Sequence, residues 1–278
     1  MRITKYILKI IIHNLLILKP IFYLYTIYLK FSPKNNFRSK DYIESSINTI
    51  ESHICPTINN LITNDSNIKI LDVGCGPDIF INIYLFLKYK YKINQTMTDR
   101  IKELNKNSYQ KNFEFFFKRN IDERISNFFS KNFFISQKLT NEKISDYYDL
   151  IYSIYVIEHF NDKELKFFLS NIKSRSKYYI FVIDFADTYF IDKWIDEHDK
   201  YKFQYLKYPD FLWKIINNKF IYQSRMRVNE YRNLFKKNGF EIINFKRCNT
   251  LCEEKNDEYF IKKYFNKNQY NRKFQGHK

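Results

Sequence analysis

The sequence predicts an α/β fold, a doubly wound and mostly parallel sheet with helices on both faces. Three observations predict it: short apolar runs alternate with helix-length segments, two of the chain's four glycines fall on one turn after the first run, and acidic residues end the next runs. With 278 residues and 45 % hydrophobic content the chain can bury one large core.

The elements follow in order. Residues 41–63 read as helical with a break at Pro56. An apolar strand at 69–73 runs into a turn in which Gly74 and Gly76 allow the backbone to bend sharply and approach a ligand. A helix over 79–88, a strand over 93–98 ending at Asp99, a helix from Ile101 and a strand-like run at 113–118 come next. Residues 120–146 show no clean periodicity. Then come a strand at 148–153, a helix over 162–174, a strand over 178–185, a helix over 229–238 closed by Gly239, and a last strand at 241–245. Between the last two strands lies an aromatic-rich insertion, 188–227, and connections this long usually carry function.

The glycine turn, K-I-L-D-V-G-C-G-P at 69–77, excludes two nucleotide chemistries. A dinucleotide fingerprint needs Gly or Ala where Ile79 stands, and a Walker loop needs a Gly-Lys-Ser/Thr ending that Pro77-Asp78-Ile79 lacks. Asp78 would also repel a pyrophosphate at the helix N-terminus. What remains is a ligand without phosphate at this turn, with a cationic group near Asp72 and a ribose nearby.

These residues resemble the class I methyltransferases that use S-adenosylmethionine, which are Rossmann-like. Asp99, 25 positions after Gly74, stands where that family places the acid that holds both ribose hydroxyls, and a carboxylate can accept two hydrogen bonds from a vicinal diol. Y-D-L-I-Y-S-I-Y-V-I-E-H-F at 148–160 is similar to the family's fourth strand and following turn. The resemblance implies S-adenosylmethionine as cofactor, bound through Asp72, Gly74, Cys75, Gly76, Asp99 and Ser153, with an adenine-binding turn within 120–146, near 138–141. Segments 181–190, 211–214, 223–231 and 235–242 are similar to a bacterial branch of the family met in surface-polysaccharide gene clusters, and the likeness spans about 42–248. The chain departs from that branch at Thr188, where a His is usual, at Asp78 in place of the third glycine, and in its short polar tail.

His159, Asp184 and Asp187 follow strand ends and are the expected catalytic residues, as bases for an acceptor hydroxyl. Glu158, Arg225 and Arg227 are expected to bind the substrate, the arginines through an anionic group. The expected activity is O-methylation of a glycan or lipid-linked sugar. RNA methylation is an alternative favoured by charge and aromatics, and an inactive cofactor-binding or scaffold protein is another.

The net charge of +17 points toward nucleic acid or an anionic membrane, but a composition skewed to Lys, Asn, Ile, Phe and Tyr lowers its weight. Charge is concentrated at the start: the first 40 residues carry eight Lys or Arg and no Asp or Glu. Arg2, Lys5, Lys9 and His13 line one stripe of a helix that Lys19-Pro20 interrupts, so residues 1–31 read as an in-plane helix on an anionic membrane rather than a span, the alternative being a helix packed on the domain or on a second subunit. The expected organisation is a basic amphipathic arm and linker at 1–40, a methyltransferase domain at 41–250 and a polar basic tail at 251–278, in a cytoplasmic enzyme peripheral on the inner face of the membrane. Cys55, Cys75, Cys248 and Cys252 read as reduced thiols; the spacings of His53-x-Cys55 and Cys248-x-x-x-Cys252 are atypical for zinc, and no metal is expected.

Overall fold

The structure is a computed structural model that describes residues 40–62, 67–76, 79–99, 144–185, 204–217 and 222–246. The basic arm, the tail, Asp78, Asp187, Thr188, the helix expected from Ile101, the strand-like run at 113–118 and the adenine-binding turn near 138–141 lie outside the described residues, as do Cys248 and Cys252. The chain divides into two compact units on either side of Asp184 and Phe185.

Among the described residues the first unit holds four strands: β1 (Ile68–Val73), β2 (Ile93–Thr98), β3 (Tyr148–Ile154) and β4 (Ser176–Val182). Their order in the sheet is β2-β1-β3-β4 and every pairing is parallel. β1 is buried at five of its six positions, as an inner strand covered on both faces requires. Its register sets Asp72 beside Met97 on one side and Tyr152 on the other. Ser153 of β3 pairs with Phe181 of β4.

Helices α1 (Lys40–His53), α2 (Cys55–Leu61) and α3 (Phe80–Tyr89) cover one face. Ile50, Ile54, Cys55, Ile58 and Leu85 pack there on Ile68, Ile70, Ile93, Leu150 and Tyr152. The break between α1 and α2 falls at Ile54, and Pro56 lies in the first turn of α2, where its missing N–H leaves no helical bond unmade. Helix α4 (Asp162–Ile172) follows β3 and buries Leu165, Phe168, Leu169 and Ile172. Phe168 meets Phe181 and Phe160 edge to face, which sets α4 against β4. Its start is fixed by a capping box: Asn161 accepts from the Lys163 and Glu164 amides, and Glu164 accepts from the Asn161 amide. The sheet order reverses direction between β1 and β3, so a crevice opens at the carboxyl ends of those two strands.

The second unit contains a 3-10 turn (Gln204–Lys207), α5 (Asp210–Ile216) and α6 (Val228–Lys237). Aromatic residues of the insertion form its core: Tyr205 is 0 % and Trp213 6 % exposed, their rings 5.8 Å apart, and Tyr208 stacks on Trp213. Tyr205 and Trp213 are therefore buried against each other. Phe211, in contrast, is 69 % exposed. Gly239 ends α6 in the left-handed region (φ 81°), as its position after the last helical residues requires. The strand expected at 241–245 does not form; that segment is irregular and leaves Ile243 and Phe245 exposed, since an apolar run makes a strand only where it finds a partner edge.

Candidate functional site

The crevice of the first unit gathers the turn after β1, Asp99 after β2, the turn after β3 and Asp184 after β4. Gly74 (φ 83°) and Gly76 (φ 74°) both occupy the left-handed region. The Gly74 and Cys75 amides donate to the Thr98 carbonyl at 2.7 and 3.0 Å, and the Gly76 amide donates to Asp99 Oδ2 at 2.8 Å. A phosphate-binding turn keeps such N–H groups for its ligand. Here all three are engaged within the protein, and the group left beside the turn is a half-buried carboxylate.

Gly74 has a second duty. A Cβ built on it would fall inside the Val156 side chain, 2.7 Å from Cγ1 and closer still to Cγ2. The turn after β3 thus packs directly on the turn after β1. Tyr155, which leads into Val156, is itself left-handed (φ 58°) and donates its N–H to the Val182 carbonyl at 2.8 Å. A non-glycine residue held there stores roughly 1–3 kcal/mol of strain, and such strain concentrates at functional sites.

Asp72, expected to face a cationic group, lies beneath the turn with 3 % exposure. Its Oδ2 accepts from Asn82 Nδ2 at 2.9 Å and from the Tyr152 hydroxyl at 3.0 Å. Asn82 also reaches Gln95 Oε1 at 3.4 Å, and Gln95 Nε2 returns a bond to the Asn82 carbonyl at 3.0 Å. Burial pushes the Asp72 carboxyl up to about 7, against which the Asn82 and Tyr152 donors act, while the charge on Asp99 adds to the rise. Asp72 is therefore an internal tie between β1, α3 and β3.

Cys75 is 7 % exposed, and its Sγ lies 3.5 Å from the Gly76 carbonyl. Ser153, expected at the cofactor, is buried within the sheet at 0 % exposure, with no partner for its hydroxyl among the described residues. Glu158, expected to bind substrate, is 2 % exposed; its Oε1 accepts from the Asp184 amide at 3.3 Å. His159 is half-buried in the 3-10 turn Ile157–His159, its amide donating to the Val156 carbonyl, and Asp184 is half-buried just past β4. Sequence reasoning missed Asn82, Gln95, Tyr152 and Tyr155. An Asn in the apolar helix F-I-N-I-Y-L-F-L-K-Y was the one visible signal among them.

Arg225 and Arg227 belong to the second unit and are tied within it. Arg225 pairs with Asp210 at 3.2 Å, reaches the Leu206 carbonyl at 3.4 Å and lies over the Trp213 ring. Arg227 donates to the Tyr205 hydroxyl at 3.2 Å and the Phe185 carbonyl at 3.4 Å. Any anion would compete with these partners. Among the described residues no group of His, Cys, Asp and Glu is placed to hold a metal ion.

A carboxylate beside a glycine turn whose described amides, those of Gly74, Cys75 and Gly76, are all engaged fits a ligand carrying hydroxyl groups rather than phosphate there. No curated protein matches the chain. Among solved structures it is similar to magnesium protoporphyrin IX methyltransferase from Synechocystis PCC 6803 with SAM bound, at 13 % identity over 78 % of this chain and 85 % of that one, TM-score 0.43. The same enzyme with SAH bound matches at 14 % identity over 73 % and 74 %, TM-score 0.41. The mitomycin 7-O-methyltransferase matches at 10 % identity over 80 % and 56 %, TM-score 0.43. A family model described as a methyltransferase domain matches residues 48–244, which takes in all four strands and both turns of the crevice, and the chain belongs to that family.

Proposed function

We propose that this methyltransferase takes its methyl group from S-adenosylmethionine and places it on a hydroxyl oxygen of a glycan or lipid-linked sugar. The observation that carries the donor is the turn at 74–76, whose three amides are consumed by Thr98 and Asp99. A donor with an unphosphorylated ribose suits it.

When bound, the donor supplies a methyl carbon on a sulfonium, open to in-line displacement by an oxygen nucleophile. Asp99 would accept from the ribose hydroxyls while its Oδ2 keeps Gly76 in place. Gly74 and Gly76 keep the turn bare of side chains, so backbone can close on the ligand. His159 and Asp184 stand on the turns after β3 and β4 and would take the acceptor's proton. Positioning supplies most of the acceleration, because the sulfonium is already a strong electrophile. Asp187 joins His159 and Asp184 as a third candidate base.

The sugar acceptor rests on the sequence likeness of 181–190, 211–214, 223–231 and 235–242 to the polysaccharide-associated branch. The net charge of +17 favours RNA as the second reading. Residues 1–31 would hold the enzyme against the anionic inner face of the membrane.

Incubation with methyl-labelled donor and either a cell-envelope glycan and lipid-linked sugar fraction or total RNA decides between them. Label in the sugar fraction supports the reading. Label in ribonuclease-sensitive material overturns the sugar acceptor, and no transfer to either fraction, with donor binding intact, favours a scaffold role.

A further inference from the structure

Glu158 is a carboxyl for which methyl transfer alone gives no role. It sits in the Ile157–His159 turn at 2 % exposure, and its Oε1 accepts from the Asp184 amide at 3.3 Å, which joins the turn after β3 to the end of β4. Its Oε2 is buried and reaches no hydrogen-bond partner among the described residues. Among the described residues no cation pairs with it. A carboxylate buried in that way is very costly, whereas the neutral acid keeps one oxygen as an acceptor and carries the proton on the other.

We propose that Glu158 is a positioning residue: as a neutral carboxylic acid it ties the turn carrying His159 to the strand end carrying Asp184, and on ionising it opens that tie. Although the Asp184 amide bonds the carboxylate better, the buried charge facing Asp184 draws water into the turn. That these two turns frame the methyl-transfer site rests on the function proposed above; the tie itself rests on the Glu158–Asp184 bond alone. Burial first, and the Asp184 charge after it, raise the Glu158 carboxyl to about 8. Asp184 is the charged group facing it from β4, and His159 is its titratable neighbour in the turn.

The sign of the pH effect follows. A carboxyl whose folded value lies above its unfolded one contributes stability that is complete at acid pH and is lost as pH rises through the folded value. For Glu158 the loss runs from the ordinary glutamate range up to about 8. Glutamine keeps the acceptor and a donor in the same shape and cannot ionise.

The test uses the full chain as native protein, Glu158→Gln and Glu158→Ala. Melting temperature is followed from about pH 6 to about pH 9, and S-adenosylhomocysteine binding is measured by calorimetry near both ends of that range. Between those limits the native protein should lose roughly 5 °C more than Glu158→Gln, and its affinity should fall several-fold while that of the Gln variant holds. Asp72 titrates in both proteins and cancels in the comparison. Glu158→Ala, lacking the tie, should bind weakly at either pH. Parallel melting curves for native and Gln proteins would overturn the proposal, as would an Ala variant that binds like native at low pH. If S-adenosylhomocysteine binds to none of the three, the donor assignment fails and the melting comparison alone decides the role of Glu158.

Discussion

The backbone amide of Gly76 donates to Oδ2 of Asp99 at 2.8 Å, so the acid at the end of β2 and the turn after β1 form one unit. The contact is charge-assisted and partly buried, which makes it stronger than an ordinary amide hydrogen bond. On the proposed donor site it would give Asp99 two tasks, shaping the turn and accepting from the ribose hydroxyls.

Asp99→Ala should therefore weaken S-adenosylhomocysteine binding and loosen the turn together. We expect affinity to fall by roughly 10- to 100-fold and stability by about 1–3 kcal/mol. Calorimetry and denaturant titration measure the two effects. Unchanged affinity would remove Asp99 from the donor site.

Gly74→Ala should destabilise the protein by about 2–4 kcal/mol, because the new methyl group must share space with Val156 and the residue must keep φ near 83°. Val156→Ala clears the space but not the backbone strain. In a double-mutant cycle the second substitution should recover part of the loss, and strict additivity would show that the packing is not the cause.

The inner strands were legible because a parallel strand buried on both faces appears as a near-continuous apolar run: 69–73 and 148–153 each fall one residue short of β1 and β3. By contrast, 93–98 matches β2 although I-N-Q-T-M-T is largely polar, and 178–185 starts two residues late and runs three past β4. Gly74, Gly76 and Asp99 were legible too, because a turn that needs positive φ leaves glycine in the sequence. The Asp72–Asn82–Gln95–Tyr152 cluster was not. Its members come from four elements, and nothing in local spacing says that they meet. The segment at 241–245 misled for the converse reason, since its apolar Ile242, Ile243 and Phe245 look like a strand while strand formation depends on a partner elsewhere. Arg225 and Arg227 gave no sign that Asp210 and Tyr205 would engage them, as side-chain partners distant in sequence leave no periodic trace.

Asp72 predicts a pH dependence of its own. Its carboxyl is raised from 3.8 to about 7, so the stability it contributes is complete at acid pH and is lost as pH climbs through about 7. Asp72→Asn should flatten the stability profile across that window by roughly 2–4 kcal/mol. Tyr152→Phe removes one of the two donors to Oδ2 and should cost about 1–3 kcal/mol, with the decline in stability shifted to higher pH. Denaturant unfolding across the range measures both. An Asp72→Asn profile that parallels native would mean that Asp72 does not titrate there.

His159→Ala and Asp184→Asn test the chemistry itself. Both residues sit just beyond the strands that flank the crevice, half-buried and so accessible to an acceptor, unlike their neighbour Glu158. A general base contributes about 10²–10⁴ in rate, and its loss should lower kcat with donor affinity preserved. Should one residue carry the proton, its variant alone should fall by that amount, and the acid limb of the native pH–rate profile should vanish with it. Asp184→Asn has an internal control, because the backbone amide that Glu158 accepts is unchanged by the substitution. The measurement is single-turnover methyl transfer to whichever fraction takes the label. Full turnover in both variants would leave the reaction to positioning by the two turns, with proton loss to solvent.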